Sequence, residues 1–372
     1  MKKFIVSLGT LVFGFLISFS AVSAHHGTAN DYWHVYWSES DRENLQYNID
    51  IVNDSGGNYN VASSVNDWDS SQSYINFVPW DSSQYPQPFL DIVVDSRAMD
   101  SWGQAVTNPS WQSTSDTHLI TAAAIVNSRT IENSIDNGTP TAVRQKVTTH
   151  EIGHTLGLAH PSDSSRVSIM QQGWNGYSTV QSSDLDWIEF RYTNTGLGSN
   201  SIDISHTIDI TKPEAIIDWV QYDNIEEMYE KSDLVVKATI NQSDTVELHK
   251  NKEPYTISDL NISKIYKNNS DTQQLQSDEN IKMGDVGGYY QDTEQYSVFN
   301  NEIVEKGQSY YLFLEKVDPA DYNYEVPYEY YPVGGPAGKV LVTDNIIIDE
   351  LTGDVNQWSK EEFEENLYNQ SN

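Results

Sequence analysis

Cysteine is absent from all 372 residues, which excludes disulfide staples and leaves stability to packing. A lipid anchor at the end of the N-terminal leader is excluded with it. Positive charge is also scarce, with 21 Lys and Arg against 54 Asp and Glu and a net charge of −33. Such a chain repels phosphates, so nucleic acid and anionic membrane surfaces are excluded as partners. Beyond the N-terminus no apolar run approaches the roughly 20 residues that cross a bilayer. The acidic surface offers carboxylates to Ca²⁺, yet no segment matches a calcium loop, and solvated charge is the simpler reading.

What is present begins with a leader. Lys2 and Lys3 precede an apolar run from Phe4 to Phe19, and Ala21-Val22-Ser23-Ala24 supplies small residues for a signal peptidase. Residues 1–24 are therefore expected to be an export signal, and the mature protein to be secreted, extracellular and without a membrane span.

The length suggests two domains. Residues 25–192 hold most of the tryptophan. Strand-like runs lie at 45–52, 73–78, 89–95, 102–107 and 119–127, and 56–57 marks a turn. A helix is expected from Thr139, an N-cap, and Pro140 at its first position. A second spans 183–192. Residues 193–212, rich in Asn, Gly and Ser, read as a linker. Residues 213–372 read as a mainly β domain, with strands at 234–240, 255–266, 310–317 and 339–348 and helices near 224–231 and 360–368. The glycine-rich stretch 333–339 lacks the spacing of a phosphate loop and reads as a turn.

The chemistry concentrates in His150-Glu151-Ile152-Gly153-His154-Thr155-Leu156-Gly157-Leu158-Ala159-His160. Residues four apart share a helix face, so His150 and His154 can address one metal ion. Glu151 is one step round, placed to reach a water on that metal as a general base. The helix must stop before a third ligand can return. Gly157 can take φ > 0 at little cost and lets His160 turn back, leaving a fourth position open.

Ser168-Ile169-Met170 follows ten residues after the last of these histidines. The extended motif and this methionine resemble the metzincin zinc peptidases, in particular the matrixin-like branch. The resemblance covers 31–192 as an order of elements and 150–192 as motifs. It implies an α+β fold: a metzincin-like catalytic domain with a twisted mixed sheet of about five strands, a zinc-binding helix, a Met-turn and a C-terminal helix, followed by the mainly β domain. It implies one catalytic Zn²⁺ on His150, His154 and His160, Glu151 as the base, and hydrolysis of a protein or peptide substrate. Met170 would floor the metal site, and Asp184 would support the Met-turn. Trp174 and Tyr177 would wall a substrate pocket. The strand 102–106, with Gly103, Gln104 and Ala105, would be the edge on which substrate lies.

Two departures stand out. Gln172 occupies the position where the astacin and serralysin branches carry a tyrosine, and no cysteine exists to cap the metal as a latency switch. Too few residues separate the leader from Asp31 for an N-terminal propeptide. Activity on export, or inhibition from elsewhere, is then expected, and the C-terminal domain is open as inhibitor, substrate-binding module or tether. Asp116 and His118 lack the pattern of a second metal site. His25 and His26 near the mature N-terminus suggest a copper enzyme instead, which would leave the zinc motif unexplained. The competing class is a non-catalytic metal-binding surface or matrix-interaction protein that retains the protease fold.

Overall fold

Leu90, Ile92 and Val94 alternate along one strand and are all fully buried, the period-two pattern of a sheet with one face on the core. The same face gathers Leu45, Ala105, Ala122, Ala124 and Val126, and two helices close over it with Val61, Val65, Trp68, Val143, Val147 and Ile152. Full burial of each larger aliphatic side chain contributes about 2 kcal/mol. The structure is a computed structural model that describes residues 37–109, 119–133, 140–161, 166–193, 214–222, 224–248, 253–269, 275–290, 294–298, 303–322, 325–343, 345–348 and 356–370.

The first half runs α1 (Glu39–Arg42), β1 (Leu45–Ile51), α2 (Val61–Ser71), β2 (Phe77–Pro79), β3 (Leu90–Asp95), β4 (Ser101–Pro109), β5 (Leu119–Asn127), α3 (Ser128–Asn133), α4 (Pro140–Thr155) and α5 (Ser182–Thr193). Strands β2, β1, β3 and β5 lie side by side and parallel, and β4 pairs antiparallel with β5. The expected strand at 73–78 shrinks to β2, because the Gln72 side chain accepts the N–H groups of Tyr74 and Ile75 at 2.6 and 2.8 Å and holds a turn there. Helix α2 was not expected from the sequence. Its apolar residues Val61, Val65 and Trp68 recur at helical spacing, and Trp68 Nε1 donates to the Thr149 carbonyl of α4 at 2.8 Å.

The second half runs β6 (Glu214–Trp219), α6 (Ile225–Lys231), β7 (Leu234–Leu248), β8 (Glu253–Asn268), β9 (Asn280–Val286), β10 (Gly288–Tyr290), β11 (Glu294–Val298), β12 (Ser309–Lys316), β13 (Tyr330–Pro332), β14 (Lys339–Leu341), β15 (Asn345–Ile348), β16 (Asn356–Ser359) and α7 (Lys360–Gln370). The expected strand at 339–348 is two strands, β14 and β15. Strands β13, β9, β8, β7 and β12 are neighbours in order, and a β12–β13 pairing closes them into a five-stranded barrel. The long β7–β8 hairpin can curve because bulges interrupt its register at Val235/Val236, Lys237/Ala238 and Ile240/Gln242. Val236, Ala238, Ile240, Leu260, Ile262, Met283, Leu312 and Leu314 fill one core. Outside the barrel, Tyr229 of α6 and Phe363 and Leu367 of α7 pack on Tyr266, Tyr311 and Phe313.

The division at residue 213 does not hold as a separation of sheets. Strand β6 pairs antiparallel with β4, β11 lies parallel on β6, and β10 follows β11, so the first sheet has eight strands rather than about five. An edge strand exposes a row of unpaired N–H and C=O groups, and β6 satisfies those of β4. Side-chain contacts tie the barrel to the first half. Arg129 pairs with Glu315 at 2.6 Å and donates to the Tyr331 hydroxyl, and Tyr328 donates to the Ala98 carbonyl at 3.0 Å. No helix among the described residues is long and apolar enough to cross a membrane. The expected export signal, the expected linker from residue 194, Thr139, Asp116, His118, His25 and His26 lie outside the described residues.

Candidate metal centre and peptide cleft

Helix α4 ends where the motif requires. Gly157 adopts φ of 89°. Its N–H donates to the His154 carbonyl at 2.9 Å, and the Leu158 N–H reaches back to Gly153 at 3.2 Å, a Schellman C-cap. The chain reverses there and brings His160, buried like His150 and His154, to the same point.

The hydrogen positions follow from the partners. His150 Nδ1 lies 2.8 Å from the Ile169 carbonyl, and His154 Nδ1 lies 2.7 Å from the Leu158 carbonyl. A carbonyl only accepts, so both Nδ1 atoms carry the hydrogen. Both Nε2 atoms of the neutral rings then present lone pairs. Each lies 3.1 Å from His160 Nε2. One N–H on His160 could satisfy only one of the two contacts, whereas a cation among the three nitrogens satisfies both. Tetrahedral bonds of about 2.0–2.1 Å imply nitrogen separations of about 3.3 Å, close to those observed. The buried His150-His154-His160 group could thus hold a metal ion.

Support comes from beneath. Asp184 accepts from the Ser168 hydroxyl at 2.5 Å, the Ile169 N–H at 3.0 Å and the Gln181 N–H at 2.8 Å. Ser168 Oγ in turn accepts the Met170 N–H at 2.9 Å. The chain of contacts therefore runs from Asp184 through the Ile169 peptide to the ring of His150. Burial raises the Asp184 carboxyl above its ordinary range, and the three donors oppose that. Met170 is fully buried, and its sulfur fills the space that a side chain at Gly153 would need. Replacing Asp184 with Ala should orphan the Ile169 N–H, at about 1–3 kcal/mol. Metal affinity should fall about ten- to a hundredfold, since partners that orient a ligand carry that much. Competition with a chromophoric chelator reads the second effect, and unchanged affinity would remove Asp184 from the metal's support.

Glu151 is fully buried and neither carboxylate oxygen has a hydrogen-bond partner. It lies against β4 so closely that a Cβ on Gly103 would fall 2.4 Å from its Oε1. Two further charged residues were not foreseen from the sequence. Lys146 is fully buried one turn before His150, its Nζ 3.3 Å from His150 Nδ1 and 4.0 Å from Asp218 Oδ2. Asp218, on β6, is buried opposite Gly103, and His150, Glu151 and Asp218 offer ligand atoms within 4.8 Å of one another. Burial, and then the Asp218 charge, raises the Glu151 carboxyl well above its ordinary value, against the pull of Lys146. Burial likewise raises Asp218 and lowers Lys146. Lys146 was legible as an i−4 neighbour of His150; Asp218 had no local signal.

The remaining expected residues separate. Trp174 lines a cavity of about 410 Å³ with Trp102, Gly173, Asp218, Trp219, Val220 and Gln221. Tyr177 is exposed and is not among its walls. Gly103, Gln104 and Ala105 sit on β4 as expected, but β4 is no free edge, since Gln104 is opposite Ile217 and Ala105 opposite Ile216. Gln172 accepts a hydrogen bond from Gln221 at 2.7 Å. No protein-family model matches the chain, and a search of curated proteins finds none similar to it.

Proposed function

We propose that this chain is a secreted zinc-dependent endopeptidase of metzincin-like architecture. The observation that carries the reading is the convergence of three buried imidazole nitrogens at the capped end of α4, with Glu151 beside them. The strand order β2, β1, β3, β5, β4, with only β4 antiparallel, and the Met170 turn held by Asp184 add support. His150, His154 and His160 would hold the ion. Bound zinc supplies a Lewis acid for the peptide carbonyl and an acidified water near neutral pH. Glu151 takes the proton as the carbonyl is attacked and returns it to the leaving amine. Its buried, unpartnered carboxylate is suited to hold a proton between these two steps. Strand β4 would orient the peptide through main-chain hydrogen bonds, and Trp102 and Trp174 offer an apolar, aromatic surface beside it.

The second reading, a metal-binding protein without catalysis, is favoured by the covering of β4. Digestion of a peptide library by the zinc-loaded chain, read by mass spectrometry, separates the two. Cleavage that disappears on chelation and returns with zinc is expected. Zinc bound with no cleavage, in the full chain and in Asp218→Ala alike, would favour the second reading.

A further inference from the structure

We propose that β6 is an intramolecular occupant of the peptide cleft, laid on β4 as an extended peptide substrate would be, and that the barrel holds it there. The inference rests on the peptidase reading for what the cleft is, but the occupancy itself is geometric. Main-chain pairing runs from Ser101 opposite Trp219 to Thr107 opposite Glu214, antiparallel and broken only by a bulge at Ser101/Gly103. This is strand addition, in which backbone hydrogen bonds bind and alternate side chains select. The residue opposite Gly103, and so in front of Glu151, is Asp218. Its carboxylate is buried and neither oxygen makes a hydrogen bond of normal geometry. The opposite charge nearest to it is the buried Lys146 ammonium at 4.0 Å. The Asp218 carboxylate faces the group offered as the base, their ligand atoms within 4.8 Å of one another.

Both ends of β6 are fastened to the second half. At its start Glu214 and Ala215 pair with Ser297 and Val298 of β11. At its end the Val220 N–H donates to the Asp100 carbonyl at 3.1 Å. Asp100 Oδ2 accepts the Tyr222 hydroxyl at 2.6 Å and the Gly334 N–H of the barrel loop at 2.7 Å. That loop rests on Trp219 so closely that a Cβ on Gly335 would lie 2.4 Å from the indole ring. The glycine-rich turn, which resembled no ligand loop, is the seat for the strand's last residue. A free peptide must therefore displace a strand that the whole barrel restrains. Latency that needs no cysteine follows.

The test uses the full zinc-loaded chain and a short peptide hydroxamate, a probe that needs both the metal and the β4 edge. Hydrogen exchange of residues 214–219 and 101–107 is recorded in the wild-type chain with and without saturating probe. Asp218→Ala and Ile217→Pro are compared for probe affinity, zinc content and hydrolysis. Proline cannot be accommodated in a central strand, and a melt confirms that each variant folds. At least tenfold tighter probe binding by a folded variant, at unchanged zinc content, is expected. In the wild type, probe binding should be weak and should deprotect 214–219. Equal affinity in all forms, or a bound probe with 214–219 still protected, would overturn the proposal. Tight probe binding by the variants without hydrolysis would keep the occupant and sink the peptidase. Equal hydrolysis in all forms would do the reverse.

Discussion

Glu151→Gln is expected to lower peptide hydrolysis by about a hundredfold to ten-thousandfold, the range a positioned general base contributes. Zinc content should stay the same, because the three imidazoles that could hold the ion are untouched. The change is nearly isosteric and removes a charge that lies fully buried without a hydrogen-bond partner. No donor is orphaned, and the like-charge conflict with Asp218 disappears, so the melting temperature should hold or rise. The loss should therefore fall on kcat with KM little altered. The measurement belongs in whichever form of the chain cleaves best, paired with metal analysis of the same sample. Hydrolysis within threefold of the parent would reassign the base, with Asp218 the next carboxylate to test.

Chelation of the metal should cost about 4 kcal/mol of stability when zinc had been present at a thousand times its dissociation constant. For a unit of 150–250 residues that corresponds to a fall of roughly 8–16 °C in Tm. The physical reason is local. Without a cation, His150 and His154 direct lone pairs at His160 across 3.1 Å contacts that one proton cannot satisfy. The effect should also fade on acidification, because metal binding needs neutral imidazoles and protons compete with the ion for them. Calorimetry with and without zinc at pH 7.5 and pH 5.5 reads both. His154→Ala should melt at one temperature whether or not zinc is present. A chelator shift that survives in His154→Ala would place the ion elsewhere.

The candidate metal centre was legible because its geometry is local. Four residues of spacing set His150 and His154 on one face, and Gly157 marks the reversal before His160, where φ is 89°. The strands at 90–95 and 119–127 were legible for the same reason, through buried alternation and apolar runs. Helix α2 was hidden because Ser, Asn and Asp are poor helix formers, and tertiary packing of Trp68 under α4 outweighs that preference. Strand β6 was hidden differently. Pairing Gln104 with Ile217 joins residues far apart in the chain, and neither segment's sequence names the other. Tyr177 was misplaced because the direction of a loop side chain depends on that loop's own turns, here Asn175 accepting the Tyr177 N–H at 3.2 Å.

The tether between α5 and β6 also sets a concentration. A strand joined to its own cleft competes at an effective concentration on the order of millimolar, whatever the protein's dilution. A free peptide of equal intrinsic affinity competes only as its own concentration approaches that level. One break in the chain between α5 and β6 would convert the contest into a bimolecular one, with the barrel's docking contacts alone left to oppose dissociation. Dilution after such a break would then favour the open cleft, and the change would not reverse by itself.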